Sequence, residues 1–295
     1  MLSKEEKAQS IKKLLNKVND SSIASIKSTV SGVVSIINDP KSNAKNLKEL
    51  IQVDPPLAAK VLKVANSAYY ASPRQISEID QAVIWIGFDT LKEIVLNQKI
   101  AEVFNSGQAF MGYSRNALWK HSLSVAILAK MMYRMEYGER GENAYAVGLM
   151  HDIGIIVEDQ FMQENFRKVL TKAHEDPQLF TVLEREILGF DHAEIGKVLT
   201  YTWGLPSELV GAIGFHHSPM LVTGEYEKMA KTLYIADFLT IESGINYSES
   251  PKLDMTIYDK CLTSLKLKQY SLDSLVKQME KEISKMEAEG FLSND

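Results

Sequence analysis

Signals for the beginnings and ends of helices recur along nearly the whole chain, whereas signals for β-strands are weak. Asp54-Pro55 is typical of a helix start, because the aspartate can cap the first turn and proline lacks an N–H that this turn would leave unbonded. Gly87 and Gly189 each end an apolar segment. The pattern predicts an all-α fold, with helices over about residues 57–66, 77–86, 89–104, 118–135, 144–158, 160–174, 178–188, 191–203, 207–218 and 225–243 and two more towards the C-terminus.

The balance of residue types favours a globular protein that binds neither nucleic acid nor a membrane. Hydrophobic residues make up 45% of the 295 residues, which is enough for a sizeable core. The formal net charge is -5, whereas a nucleic-acid surface needs a basic patch. No apolar run approaches the ~20 residues that span a bilayer, and the charged N-terminal residues lack the apolar segment of a signal peptide. The single cysteine, Cys261, favours a reducing compartment and an unreactive buried thiol, so we expect a cytoplasmic protein.

Charged and turn-forming residues predict which parts of the chain face solvent. Lys92, Glu93 and Lys99 are expected to form the exposed face of a helix that Asp89 caps. Residues 105–114 contain two glycines and several turn formers, which indicates a boundary between two parts of the chain. Ser271 is the expected cap of the last helix, an amphipathic segment that we expect to pack on its own domain rather than form a coiled coil.

The histidines form the pattern that bears on function. The chain has only six, and five of them lie at or inside predicted helices near apolar residues. Neutral imidazoles and carboxylates are the usual ligands for iron, manganese, zinc or nickel, provided that several elements aim them into one place. A polar core that holds these groups by hydrogen bonds is the alternative interpretation. The residues concerned are His121, His151 with the adjacent Asp152, His192, and the pair His216-His217, whereas His174 lies in a polar stretch and is expected at the surface.

Asp237 is a second signal of a buried polar site. It lies inside the apolar segment LYIADFL, and an unpartnered acid in such a segment would be costly to bury. Either a metal ion or a salt bridge would provide the partner.

The order His, His-Asp, His, His-His, Asp resembles the HD superfamily of metal-dependent phosphohydrolases, and the HD-GYP phosphodiesterases in particular. The resemblance implies two metal ions that share Asp152 and, in an active enzyme, catalytic roles for His151 and Asp152. We expect iron first, with manganese, nickel or zinc as alternatives. The implied ligands are His121, His151, Asp152 and Asp237 for one ion, and His192, His216, His217 and the shared Asp152 for the other.

Three departures from the HD-GYP pattern argue against that phosphodiesterase activity. Ile155 stands where those enzymes carry a lysine that would hold substrate phosphate, and Ala117 stands where an acid is expected. The residues after His217 begin Ser218-Pro219 and do not continue into the family's Gly-Tyr-Pro signature. The ligand set can survive these changes, but the substrate site implied by the resemblance is incomplete.

The first half of the chain resembles another branch of the superfamily, the HDOD domains of bacterial signalling. The similar segments are DPPLAAKVLKVANSAYYA, ISEIDQAVIWIGFDTLKEIVL, GLMHDIG, HAEIGKVLTYTWGLPSELVGAIGFHH and IADFL. The resemblance implies a helical module over residues 22–108 packed on an HD-like metal-site subdomain over 109–240. A helix over residues 1–21 would precede this HDOD domain, and a helical extension over 241–295 would follow it.

Two functions follow from these resemblances. The first is a signalling or regulatory protein that keeps a dinuclear metal site but acts by binding an unidentified signalling protein or a ligand. The second is a metal-dependent phosphohydrolase acting on a nucleotide or cyclic dinucleotide, with a nucleotide or phosphate as ligand. The departures at Ala117, Ile155 and Ser218 favour the first.

Overall fold

The computed structural model describes residues 3–19, 21–104, 107–175, 179–248, 254–290 and 292. Within these residues the chain is helical, apart from an isolated bridge between Phe110 and Tyr113, which confirms the all-α prediction. The helices are α1 (Lys4–Val18), α2 (Ser22–Ser25), α3 (Lys27–Asn38), α4 (Ala44–Gln52), α5 (Pro55–Ala65), α6 (Ile79–Ile86), α7 (Phe88–Phe104), α8 (Arg115–Met135), α9 (Glu142–Met150), α10 (Ile153–Phe161), α11 (Gln163–Glu175), α12 (Phe180–Ile187), α13 (His192–Thr202), α14 (Ser207–Phe215), α15 (Glu227–Glu242), α16 (Met255–Leu265) and α17 (Gln269–Ala288), with a short 3-10 turn at Pro219–Leu221.

The helix boundaries follow the local signals in most places. Asp54 caps α5 by accepting a hydrogen bond of 3.1 Å from the backbone N–H of Leu57. Gly87 ends α6 with a φ of 91°, a conformation that glycine adopts without steric cost. At α13, Asp191 and Glu194 form the reciprocal pair of hydrogen bonds of a capping box. These caps explain why the predicted helices form where the sequence placed them.

The predicted exposed face of α7 is wrong. Lys92 and Lys99 are 1% and 7% exposed, because α7 packs against α3 and α5 on one side and against α8 and α9 on the other. The buried charges are paired instead of solvated: Lys92 with Asp89 at 2.8 Å, and Lys99 with Asp54 at 2.7 Å. Asp89 is therefore an ion-pair partner inside α7, which begins one residue earlier, at Phe88.

Helix α8 is the central element of the second half. It packs against α9, α15 and α17, and α13 packs against α10 and α14. The C-terminal α17 lies on α8 of its own chain, as expected for its amphipathic pattern, and buries Leu272, Leu275, Met279 and Ile283. Ser271 lies inside the first turn of α17 instead of capping it, and its hydroxyl is hydrogen-bonded to Glu136. None of the described helices combines the length and the apolar character needed to cross a membrane.

Candidate metal centre

Asp152 lies at the middle of a buried group of histidines. Its Oδ2 is 3.1 Å from Nε2 of His151 and 3.7 Å from Nε2 of His121. Its Oδ1 is 3.1 Å from Nε2 of His192 and 3.5 Å from Nε2 of His216. The aspartate and these four imidazoles are at most 1% exposed. The two carboxylate oxygens therefore face two different sets of nitrogen atoms.

Five parts of the fold bring these side chains together. His121 projects from α8, and Asp237 projects from α15 with Oδ1 at 3.1 Å from Nε2 of His121. His192 is the first residue of α13, where the Asp191 cap fixes its backbone. The two remaining positions are the turn between α9 and α10, with His151 and Asp152, and the end of α14, with His216 and His217. The prediction that His151 and Asp152 lie inside one helix is wrong, because α9 ends at Met150 and α10 begins at Ile153.

The Nδ1 atoms of four imidazoles point away from the centre and are hydrogen-bonded. Carbonyl oxygens accept from three of them: Ile245 from His121 at 3.0 Å, Gly148 from His151 at 2.8 Å, and Ile213 from His216 at 2.6 Å. Because a carbonyl can only accept, the proton of each neutral ring is at Nδ1. The lone pair at Nε2 is then directed towards Asp152, the orientation that a metal ligand needs.

Acceptor atoms consequently face each other at the centre. Among the described residues, Nε2 of His121, His151 and His216 and Oδ1 of Asp152 are buried without a hydrogen-bond partner. Buried acceptors left unbonded are costly, so a cation or a proton must lie between them. Nitrogen and oxygen ligands held about 2.0–2.2 Å from one metal ion lie roughly 3.0–3.5 Å apart, which is close to the observed distances. The residues present therefore fit a metal site.

Burial and the contacts between these groups shift the pKa values of the titratable residues at the centre. Burial alone would raise the pKa of Asp152, but His151, His192 and His216 together hold it well below its usual range. Burial would lower the pKa of His192, yet Glu184 and Asp152 raise it well above its usual range. For His217, burial and the neighbouring His216 and His192 lower the pKa well below its usual range. The contacts at the centre thus favour the ionised form of Asp152, and they favour proton binding by His192 but not by His217.

Six of the seven predicted ligands fall into two groups that share Asp152. Potential ligand atoms of His121, His151 and Asp152 all lie within 4.8 Å of one another, and the same holds for Asp152, His192, His216 and His217. Nε2 of His217 is 2.9 Å from Nε2 of His192. Asp237 joins the first group through His121. The geometry is compatible with the predicted division between two ions, and the assignment of ligands stays a prediction.

Sequence reasoning missed two buried acids behind His192. Glu184 on α12 accepts a hydrogen bond of 2.8 Å from Nδ1 of His192, and Glu158 on α10 is fully buried beside Glu184. Burial and the charge of Glu184 raise the pKa of Glu158 well above its usual range. In the sequence Glu158 is followed by Asp159 and Glu184 by Arg185, so neither acid stands out in an apolar segment as Asp237 does.

We expect replacement of Glu184 by alanine to weaken metal binding about 10- to 100-fold, because His192 would lose the carboxylate that orients its ring. Titration of the purified protein with Mn²⁺ by isothermal calorimetry measures this change. Glu186→Ala is the matched control, since Glu186 is on the same helix, largely exposed, and paired with Lys172. Equal affinity in the Glu184→Ala and Glu186→Ala variants would contradict a role for Glu184 at the centre.

The segment after α15 covers the centre. The ring of Tyr247 packs edge-to-face on His121 at 5.1 Å and on Phe180 at 6.1 Å, and Tyr247 itself is 4% exposed. Two residues earlier, the carbonyl of Ile245 accepts from His121. The helical pattern of the sequence did not indicate that residues 245–247 cover the centre. Residues 245–247 therefore separate the His121 side of the centre from solvent.

His174 and three basic side chains of α8 and α13 lie outside the group around Asp152. His174 is exposed, as expected, although it lies inside α11 and not in a loop. Lys120 forms an ion pair of 2.7 Å with Glu287 of α17, and Arg115 forms one with Asp159 of α10. Lys197 lies 4.4 Å from the centroid of the Phe215 ring. These contacts account for the three cations without a phosphate ligand.

Comparison with protein families gives one match, the HDOD domain, over residues 23–219. The chain is also 25% identical over 203 residues to an uncharacterised protein of Treponema pallidum, which is 68% of this chain and 39% of that protein. It is 36% identical over 107 residues to ribonuclease Y of Thermus thermophilus, which is 36% of this chain and 14% of that enzyme. The chain thus spans less than half the length of either relative.

A solved structure extends the similarity to the whole fold. The HDOD domain protein of Geobacter sulfurreducens superposes with a TM-score of 0.74 at 25% sequence identity. The superposition covers 88% of this chain and 90% of that protein. The helical arrangement described above, including much of the region outside the family match, is therefore shared with a crystal structure.

Proposed function

The chain belongs to the HDOD domain family, and from this premise we propose that it is a bacterial signalling protein that acts by binding, not by turnover. In this proposal, a dinuclear metal centre holds the HD-like half in one conformation. An unidentified signalling protein or a small ligand would then bind to a surface of that conformation. The observation that carries the proposal is the burial of six of the seven proposed ligands, with only His217 partly exposed.

Enclosure argues against access of a phosphodiester to the centre. Asp152, His121 and His151 are at most 1% exposed, and Tyr247 packs over His121. A substrate needs an open ligand position at a catalytic metal, whereas structural metal sites are closed by protein groups. The departures at Ala117, Ile155 and Ser218 remove groups that the HD-GYP resemblance would require for substrate. The burial of these residues and the three sequence departures thus both support a function in binding rather than in turnover.

The proposed ligands are the seven residues predicted from sequence. His121, His151, Asp152 and Asp237 would hold one ion, and His192, His216 and His217 would hold the other with Asp152 between them. Iron is the first candidate, with manganese, nickel or zinc as alternatives, because imidazole and carboxylate ligands suit all four. A bound pair of such ions would supply Lewis acidity and strong electrostatic cross-linking of the five elements.

A metal-dependent phosphohydrolase acting on a nucleotide or cyclic dinucleotide is the second candidate. The observation in its favour is the shared Asp152, whose two oxygens face two sets of donors as in a two-metal catalytic site. The similarity to ribonuclease Y over 107 residues points in the same direction. His151 and Asp152 would then be the catalytic residues, and the segment at Tyr247 would have to move to admit substrate.

Metal content and turnover, measured on the same sample, separate the two candidates. Protein purified without chelators and loaded with Fe²⁺ or Mn²⁺ is assayed with bis(p-nitrophenyl) phosphate and with cyclic di-GMP. We expect bound metal and no hydrolysis above that of the Asp152→Ala variant. Hydrolysis by the wild type that Asp152→Ala abolishes would replace the binding function by the phosphohydrolase. Absence of metal from the wild type would overturn both.

A further inference from the structure

A second cavity lies on the other side of α8 from the metal centre. Its volume is about 760 Å³, and it is bordered by α5 and the turn after it, α7, α8, and α17. The cavity is partly open to solvent, since several of its lining side chains, such as Lys63 and Arg134, are exposed. It falls within the roughly 300–1,000 Å³ of small-molecule sites. None of the seven predicted metal ligands borders it.

The wall of this cavity is rich in aromatic and aliphatic groups. Tyr69 and Tyr70, from the ANSAYY segment after α5, form one part, and Trp119 and Tyr145 form another. Ile94, Leu123 and Ile127 complete an apolar surface between them. Four aromatic rings around one space favour an aromatic ligand, because stacked and edge-to-face contacts add to the gain from burial.

The polar groups of the wall that lack partners are mainly donors. Trp119 is 2% exposed, and no acceptor among the described residues lies within hydrogen-bond distance of its Nε1–H. The amide oxygen of Asn97 already accepts from the hydroxyl of Tyr145 at 2.7 Å, which leaves its NH₂ group to donate. The partly exposed amide of Asn97 is thus a wall donor that an acceptor atom of a ligand could reach.

Charge at the cavity points to a single negative group on the ligand. Two wall acids are engaged: Glu93 with Lys130 at 2.6 Å, and Glu282 with the hydroxyl of Tyr69. Lys63 and Arg134 are exposed and form no ion pair within the described part of the chain. The wall has one exposed acid, Glu289. Over the whole wall, four basic side chains stand against three acidic ones, a net charge of +1: Lys60, Lys63, Lys130 and Arg134 against Glu93, Glu282 and Glu289.

Helix α17 closes the cavity from outside the family match. Glu282 is hydrogen-bonded to Tyr69, and Nζ of Lys285 lies 3.8 Å from the centroid of the Tyr69 ring. The HDOD match ends at residue 219, so this wall is an addition to the matched region. The cavity therefore exists only where the C-terminal helix meets the ANSAYY segment and α8.

We propose that this cavity binds a compact aromatic monoanion, an aromatic ring system with one carboxylate, sulfonate or phosphate group. The ring system would lie among Tyr70, Trp119 and the aliphatic wall. The anionic group would face Lys63 and Arg134. The site is independent of the metal centre, because the two share no residue.

Titration with 8-anilinonaphthalene-1-sulfonate, an aromatic monoanion whose fluorescence rises on burial, tests the site. We expect saturable binding of one probe per chain, equal in chelator-treated and Mn²⁺-loaded protein. The double variant Lys63→Ala/Arg134→Ala should raise Kd roughly tenfold, since a hydrogen-bonded charge is lost. The matched control Lys12→Ala/Lys13→Ala removes the same charge from the exposed face of α1 and should leave Kd within about twofold.

A variant that fills the space gives an independent readout. Ala101 borders the cavity and is partly exposed, so Ala101→Trp should abolish saturable binding while circular dichroism stays that of the wild type. Non-saturable binding in the wild type would overturn the proposal. So would equal Kd values in the wild type and the Lys63→Ala/Arg134→Ala variant, which does not alter the core.

Discussion

We expect replacement of Asp152 by alanine to remove metal from both halves of the centre in one step. The reason is its position: Oδ2 faces His121 and His151, and Oδ1 faces His192 and His216. Without this carboxylate, each half retains mainly neutral imidazoles, which neutralise no cationic charge. Elemental analysis of protein purified without chelators should fall from about two metal ions per chain to nearly none.

Two further variants make this expectation specific. His217→Ala removes one donor from one half only, so about one metal ion per chain should remain. His174→Ala removes an exposed histidine outside the centre and should leave the content unchanged. Retention of metal in Asp152→Ala at the level of His174→Ala would show that the centre does not hold the ions as proposed. Circular dichroism of each variant separates loss of metal from loss of fold.

Replacement of Gly154 by alanine is expected to destabilise the protein by about 3 kcal/mol or more and to displace His192. Gly154 is in the first turn of α10, where the helix touches the start of α13. A Cβ at this position would lie 2.0 Å from the carbonyl oxygen of His192 and 2.7 Å from its carbonyl carbon. Both are backbone atoms, so α10 and α13 would have to separate.

Urea unfolding of Gly154→Ala beside Gly196→Ala measures this effect with a matched control. Both glycines are inside helices, so alanine brings each the same gain in helix propensity. The nearest atom to a Cβ at Gly196 would be a side-chain methyl of Ile213 at 3.1 Å, which can move, and the backbone oxygen of His151 would lie at an ordinary contact distance of 3.7 Å. We expect Gly196→Ala to change the free energy of unfolding by less than about 1 kcal/mol. Similar stability of the two variants would contradict the close approach at His192.

Local signals in the sequence were enough to select residues that the fold brings together around Asp152. Asp237 is an acid inside an apolar helix, and its carboxylate indeed lies beside His121, at 3.1 Å from Nε2. Asp191 was recognisable as a helix cap, and the cap places His192 at the first position of α13. Such signals depend only on residues within one or two helical turns, and a sequence displays these directly.

The predictions from sequence failed where the exposure of a residue depends on how many other helices pack against its own helix. The charges of α7 have the spacing of an exposed face, yet Lys92 and Lys99 are buried because helices pack on opposite sides of α7. Glu184 and Glu158 were overlooked for a related reason. Their role depends on the approach of α10, α12 and α13, and no local pattern encodes that approach.

The sequence by itself determined the helices, through caps, glycines and apolar periodicity, and it determined the chemistry available to the centre, through five histidines and two aspartates. Only the tertiary structure decided that these side chains converge. Carbonyls of Gly148, Ile213 and Ile245 hold three imidazoles by Nδ1, so that their Nε2 atoms face Asp152. The tertiary structure also covers the His121 side of the centre with Tyr247, because the direction of a side chain and its access to solvent depend on elements far away in the chain.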